Sequence, residues 1–283
     1  MVEITPQIQQ IIDFALFEDQ VFNDPTTKAL ISSNDCGVGV LRAKSSGLLA
    51  GIDVALTVFR RIDASIDALA LINDGHKVER GSTLAQISGK VATILRGERT
   101  ALNFLQRMSG IATETARYVK AVEGCHAQIV DTRKTVPGHR YLDKYAVTVG
   151  GGRNHRMHLG DGVLIKDNHI DILQRRGMDL SKVLKQAMER APHTLKIEVE
   201  VTNLDELRKA LIGGAQIIML DNMTLEEMKK AVEVVNGRAL VEASGGISLD
   251  NVRAVAETGV DLISVGALTH SVSALDINLD LEA

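Results

Sequence analysis

The sequence predicts an α/β fold: an incomplete parallel α/β barrel preceded by an N-terminal α+β sandwich domain. Three observations lead there. Six short apolar runs appear from Gln128 onward, reading QIVDT, VLIKD, IEVEV, IIMLD, LVEAS and LISVG. Comparable positions in the last four, Glu200, Asp221, Ser244 and Gly266, follow one another at steps of 21, 23 and 22 residues. Amphipathic segments lie between them, so the repeated unit is one strand and one helix. Polar residues also alternate with apolar ones inside the runs. Lys196, Glu198 and Glu200 share one strand face, and Ile197, Val199 and Val201 the other. The same parity groups Leu164 with Lys166, Met219 with Asp221, and Glu242 with Ser244. A sheet covered by helices on both faces has little room for such groups. A barrel has a lumen that opens at the strands' C-terminal ends. Six runs, rather than eight, make the barrel incomplete.

Taken in order, Thr5-Pro6 followed by Ile8, Ile11, Ile12, Ala15 and Leu16 predicts a capped amphipathic helix. VGVLRA and STLAQIS read as short strands, and Gly51–Ile62 and Leu95–Met108 as helices, so this first part is α+β without a repeat. Later helices carry start and stop signals: Asn203 with Glu206 and then Gly213-Gly214, Thr224 with Glu227 and then Gly237, and Ser248 and then Gly259. Expected boundaries are 1–111 for the sandwich, joined by the tail 272–283, and 112–271 for the barrel.

Composition excludes several function classes. Aromatics make up 3% of the 283 residues, with no Trp, and the net charge is -4, which argues against nucleic-acid binding by stacking or by a basic face. Cys36 and Cys125 stand in no metal-ligand spacing and read as reduced thiols of a cytoplasmic protein. The first twenty residues lack the pattern of a signal peptide, and the most apolar region, residues 47–72, is interrupted by charges that a membrane span would not carry.

Against that acidic background, the stretch from Asp131 to His169 holds seven Lys/Arg, four histidines and four acids. Arg133, Lys134, Arg156 and Lys166, with His155, are expected to converge at the barrel mouth. Unpaired buried charge costs several kcal/mol, so such a group needs anions: either the lumen carboxylates in a structural ion-pair network, or an anionic substrate held by the guanidinium fork. Ser244-Gly245-Gly246 and Val265-Gly266 follow the last two strands, where glycine lets backbone N–H groups approach a phosphate; the alternative is a pair of ordinary tight turns. Glu200 and Asp221 end successive strands, where they suit a divalent ion, ribose hydroxyls or charge developing on a sugar, or simply ion pairs with Lys166 or Lys134.

These blocks, with GERTALNFLQRMSGIAT (Gly97–Thr113), DTRKTVPGHR, LDKYAVTVGGGRNHRMHLGDGVLIKDNH, IMLDN, EASGGI and ISVGALTHS, resemble the carboxylating nicotinate-nucleotide pyrophosphorylases, also called quinolinate phosphoribosyltransferases. The likeness covers most of residues 72–271. It departs at NDPTT (Asn23–Thr27), where the family usually has a Gly-Asp-Thr-Thr type segment, and at Pro137-Gly138-His139-Arg140, where Pro-Gly-Leu-Arg is usual. The resemblance implies transfer of the phosphoribosyl group of phosphoribosyl pyrophosphate (PRPP) to quinolinate with loss of CO2, in NAD biosynthesis. It implies Arg99, Arg133, His155, Arg156 and Lys166 around the quinolinate carboxylates, and Lys134, Glu200 and Asp221 around PRPP and Mg2+. The turns Ser244–Gly246 and Val265–Gly266 would hold the 5′-phosphate. It further implies a homodimer, or a higher oligomer built on it, in which Arg99 completes the partner's site. Competing readings are a pyrophosphorylase-like protein of molybdate-transport operons, a Schiff-base aldolase using Lys166, and a phosphate-metabolite sensor without turnover.

Overall fold

The computed structural model describes residues 2–282, in two units. The first comprises Met1–Ala116, Thr135–Gly151 and Leu268–Ala283; the second comprises Arg117–Lys134 and Gly152–Ala267.

The first unit opens with α1 (Pro6–Glu18), where the Thr5 side chain accepts a hydrogen bond from the Ile8 N–H and Pro6 occupies the first turn. In α2 (Pro25–Leu30), Asp24 caps the helix by accepting from the Thr27 N–H, so the divergent NDPTT segment is a helix start. There follow β1 (Cys36–Ala43), β2 (Gly47–Leu48), α3 (Ile52–Ile62), β3 (Asp67–Ala70), β4 (Lys77–Val78) and β5 (Thr83–Lys90). The antiparallel sheet β3, β5, β1 is completed by β12 (Ile277–Glu282), which pairs with β1 from Ala43↔Ile277 to Val38↔Glu282.

The next helix, α4 (Val91–Ala121), runs 31 residues, well beyond the Leu95–Met108 span expected from periodicity. Gly97 lies within that span and Gly110 just past its end, and both serve close packing. A Cβ on Gly97 would meet the Phe59 ring at 2.6 Å, and one on Gly110 would strike the Ser273 carbonyl. α5 (Arg140–Val149) groups with this unit, whereas a boundary at 111/112 places it with the barrel. Two contacts hold it there. Arg107 of α4 makes a two-pronged ion pair with the fully buried Asp143 at 2.9 and 2.8 Å. Gly150 lies where a Cβ would meet the Ala112 carbonyl at 2.6 Å.

The second unit contains all six expected strands: β6 (Gln128–Val130), β7 (Val163–Ile165), β8 (Ile197–Val201), β9 (Ile217–Asp221), β10 (Leu240–Ser244) and β11 (Leu262–Ser264). Between and after them lie α6 (Asp167–Gln174), α7 (Leu180–Arg190), α8 (Leu204–Gly213), α9 (Leu225–Val235) and α10 (Val252–Ala256), and α11 (Ala267–His270) starts at the unit's last residue and continues into the first unit. The sheet is parallel in the order β6-β11-β10-β9-β8-β7. The first strand lies beside the last, as in a barrel, but β6 and β7 do not pair along their length. Among the described residues, a single Val130↔Arg153 bridge lies at that seam, so the barrel is incomplete where the segment carrying His155 and Arg156 enters.

Helix signals hold in part. Asn203 caps α8 and Gly214 ends it in the left-handed region. Thr224 and Glu227 form a reciprocal cap on α9, which ends one residue early, at Asn236 with φ 46°. Ser248 does not open α10. Asn251 does, because its side chain accepts from the Ser248 N–H at 2.9 Å and closes the preceding turn.

Candidate active site

Strand parity sets the composition of the lumen. Ile197, Val199 and Val201 are buried on the helix side, while Glu198 and Glu200 face inward. Leu164, Lys166, Met219, Asp221, Glu242 and Ser244 all line one cavity of about 560 Å³. Arg133, Lys134, His155 and Arg156, from the connections at the seam, line it too. The remaining cations of the 131–169 stretch do not. Lys144 is buried in the first unit, and His139 stacks on Phe104 there at 5.6 Å.

The cavity has a cationic wall. Arg133 Nε is buried without a hydrogen-bond partner. Arg156 donates to the Gly162 carbonyl at 3.3 Å. Burial lowers the Arg156 pKa, and the neighbouring Arg133 guanidinium lowers it further, against the pull of Glu198. Among the described residues, neither arginine forms an ion pair with a carboxylate. Two guanidiniums side by side with unspent donors form a site for an anion from outside. Lys166, by contrast, pairs with Glu200 at 3.4 Å.

The opposite side is acidic. The Glu200 side chain is 14% exposed, and its Oε2, though near Lys166, accepts no hydrogen bond. Asp221 accepts from the Asn222 side-chain amide at 3.0 Å. Free carboxylate acceptors at adjacent strand ends fit a hard divalent cation or sugar hydroxyls. Beneath them, His155 Nε2 lies 3.2 Å from Glu198 and 3.6 Å from Glu242. The three ligating atoms fall within 4.8 Å of one another. The imidazole N–H already stands between the two carboxyl groups, which makes this an ion-pair cluster.

Burial, and then repulsion from Glu198, push the Glu242 carboxyl up to about 7 from its ordinary value of 4.5. A carboxyl raised by folding stabilises least when ionised. Its contribution is most favourable below the unfolded-state value and is lost as pH rises through about 7. Glu242→Gln is therefore expected to raise Tm more at about pH 8 than at about pH 5. Thermal melts of both proteins at both pH values check this, and an equal shift at both would refute it.

The β10 turn explains its glycines. Gly245 and Gly246 have φ 89° and 62°, and a Cβ on Gly245 would collide with the Asn222 side chain. Asn222 itself has φ 52° and lines the cavity, as do Thr132 and Ser264. Sequence reasoning missed these three; the available signal was Asn222, since asparagine tolerates the left-handed region. Val265 and Gly266 are not among the lining residues. Val265 is buried and continues the β11 ladder by donating to the Val130 carbonyl at 2.9 Å. Arg99 is exposed on α4 in the first unit and does not line this cavity.

Comparisons with known proteins agree with this geometry. Residues 111–280 match the model of the quinolinate phosphoribosyl transferase C-terminal domain, and residues 24–109 that of the N-terminal domain. The chain is 38% identical over 275 residues to a probable nicotinate-nucleotide pyrophosphorylase [carboxylating] of Bacillus subtilis, covering 97% of this chain and 93% of that protein. It is 43% identical over 274 residues to the nicotinate-nucleotide pyrophosphorylase [carboxylating] of Mycobacterium leprae, covering 94% of each. The crystal structure of NadC from Streptococcus pyogenes superposes with a TM-score of 0.94 at 38% identity, covering 100% of this chain and 99% of that one. Both domain models of the family, and relatives similar over nearly their whole length, place this chain, with its parallel sheet and cation-lined cavity, in the quinolinate phosphoribosyltransferase family.

Proposed function

We propose that this chain transfers the phosphoribosyl group of PRPP to the ring nitrogen of quinolinate, with decarboxylation, giving nicotinate mononucleotide, pyrophosphate and CO2. One observation carries the reading: Arg133 and Arg156 share a cavity, and among the described residues no carboxylate is ion-paired to either. A pyridine bearing two adjacent carboxylates supplies the missing charge. Each charge-assisted hydrogen bond contributes roughly 1.5–3 kcal/mol.

In this reading Arg133, Arg156 and Lys166 fix the dicarboxylate with its ring nitrogen toward the ribose. The Ser244–Gly246 turn receives the 5′-phosphate, and Lys134 the pyrophosphate. As the C1′–O bond to pyrophosphate breaks, C1′ gains positive charge that Glu200 and Asp221 stabilise. The nitrogen lone pair forms the new N–C1′ bond. The resulting pyridinium accepts the electron pair left on C2 when CO2 departs, and C2 then takes a proton. Glu200 and Asp221 would also hold Mg2+, which when bound offsets the charge of the pyrophosphate oxygens.

The working form proposed is a homodimer in the cytoplasm. The exposed position of Arg99 on α4, away from the cavity lining, supports its use toward a second copy. Free Cys36 and Cys125 suit a reducing compartment. Among the described residues, no helix is long and apolar enough to cross a membrane.

The test uses quinolinate labelled in its 2-carboxylate. Labelled CO2 is expected only when PRPP and magnesium are both present. Well-folded protein that binds both substrates and releases none would overturn the reading in favour of a sensor.

A further inference from the structure

Below the substrate wall lies a pair of carboxyl groups that the reaction above does not use. Glu198 on β8 is 5% exposed and Glu242 on β10 is 1% exposed. Glu198 Oε1 and both Glu242 oxygens lack hydrogen-bond partners. The groups facing Glu242 come from every neighbouring element. β8 supplies Glu198, and the seam segment supplies His155. β11 supplies Ser264, whose hydroxyl lies 3.4 Å from the Ala243 carbonyl and also helps hold the Glu242 pKa down, and β9 supplies the apolar Met219. Asp131, at the end of β6, accepts from the His155 backbone N–H at 2.9 Å.

The hydrogen-bond pattern orients the imidazole. His155 Nδ1 accepts from the Arg156 backbone N–H at 2.8 Å. A ring hydrogen on Nε2 therefore points at the two glutamates. One N–H serves two buried carboxyl groups, which cannot both ionise cheaply. The groups that hold the Glu242 pKa down are His155 and the Ser264 hydroxyl, while Glu198 and Arg156 attract one another without forming an ion pair.

We propose that Glu242 takes up a proton when the dicarboxylate settles against Arg133 and Arg156. The ligand brings two negative charges into the cavity that Glu242 lines and against the guanidinium that attracts Glu198. Excess negative charge then falls on the buried pair, and protonation of Glu242, which already lines the cavity, relieves it. Burial and Glu198 have raised this carboxyl toward neutrality beforehand, so the proton is acquired at physiological pH. Glu242 is thus a positioning residue: protonated, it preserves the field of the wall for the substrate while leaving His155 anchored by Glu198. Quinolinate affinity should consequently weaken as pH rises above neutrality.

This inference rests on the proposed reaction for its choice of ligand, and the experiment separates the two. Quinolinate binding to the full chain is measured by calorimetry at about pH 7.5 in phosphate and in Tris, whose ionisation enthalpies differ. A buffer-dependent heat equivalent to uptake of roughly half a proton per site is expected for the natural chain. Glu242→Gln should bring the uptake close to zero and flatten the pH dependence of the quinolinate Kd. Binding with the same heat in both buffers would overturn the inference and leave the reaction standing. Unchanged uptake in the glutamine variant would do so as well. No binding heat at all would sink the reaction reading and this inference with it. Should the variant fold poorly, the two-buffer measurement on the natural chain decides alone.

Discussion

Arg133→Ala raises the quinolinate Kd about 100-fold or more, while PRPP affinity changes less than about 5-fold. The size follows from the fork: two charge-assisted hydrogen bonds of roughly 1.5–3 kcal/mol each are lost. Selectivity follows from position. Arg133 stands beside Arg156, and its Nε is buried with no internal partner to retain it. The turn expected to hold phosphate lies instead on β10, at Gly245 and Gly246. Removing one guanidinium also relieves the repulsion on Arg156, so the loss reflects missing contacts rather than a collapsed wall. Equilibrium binding of each ligand checks this. Equal weakening for both would mean that the cavity is not divided between a dicarboxylate end and a phosphate end.

Glu200→Gln should lower kcat by roughly 10²–10³-fold, the scale of losing one group aimed at charge that develops in the transition state. The substitution preserves shape and removes the negative charge. Glu200 suits this role because it is only 14% exposed at the side chain and its Oε2 keeps an unspent acceptor. Its ion pair with Lys166 adds a second readout, since the freed ammonium becomes more available to a carboxylate. The quinolinate Kd should therefore hold steady or tighten as kcat falls. A rise in the quinolinate Kd with kcat unchanged would place Glu200 in substrate binding and overturn its assignment to the ribose.

The strands of the second unit were legible because a strand's side-chain period is two and a barrel has only one wet face. Lys166, Glu200, Asp221 and Ser244 could thus be placed on one side by counting. The chain's cation surplus over residues 131–169 was equally plain. The members expected to converge, Arg133, Lys134, His155, Arg156 and Lys166, do line one cavity, while His139 and Lys144 of the same stretch lie in the first unit. The full length of α4 exceeds the expected Leu95–Met108 span, and its Gly97 and Gly110 are points of close approach whose partners, Phe59 and Ser273, are distant in sequence. Asn222 was missed because its value lies in contact with Gly245, on the neighbouring strand's turn.

By itself, the sequence determined the strand–helix repeat, the polarity of the lumen and the need for an anion. Those properties depend on local period and on charge, which sum along the chain. Tertiary structure decided which charges lack partners and which carboxyl groups share a single imidazole N–H. Those properties arise from distances between residues far apart in sequence, and from the water that burial removes.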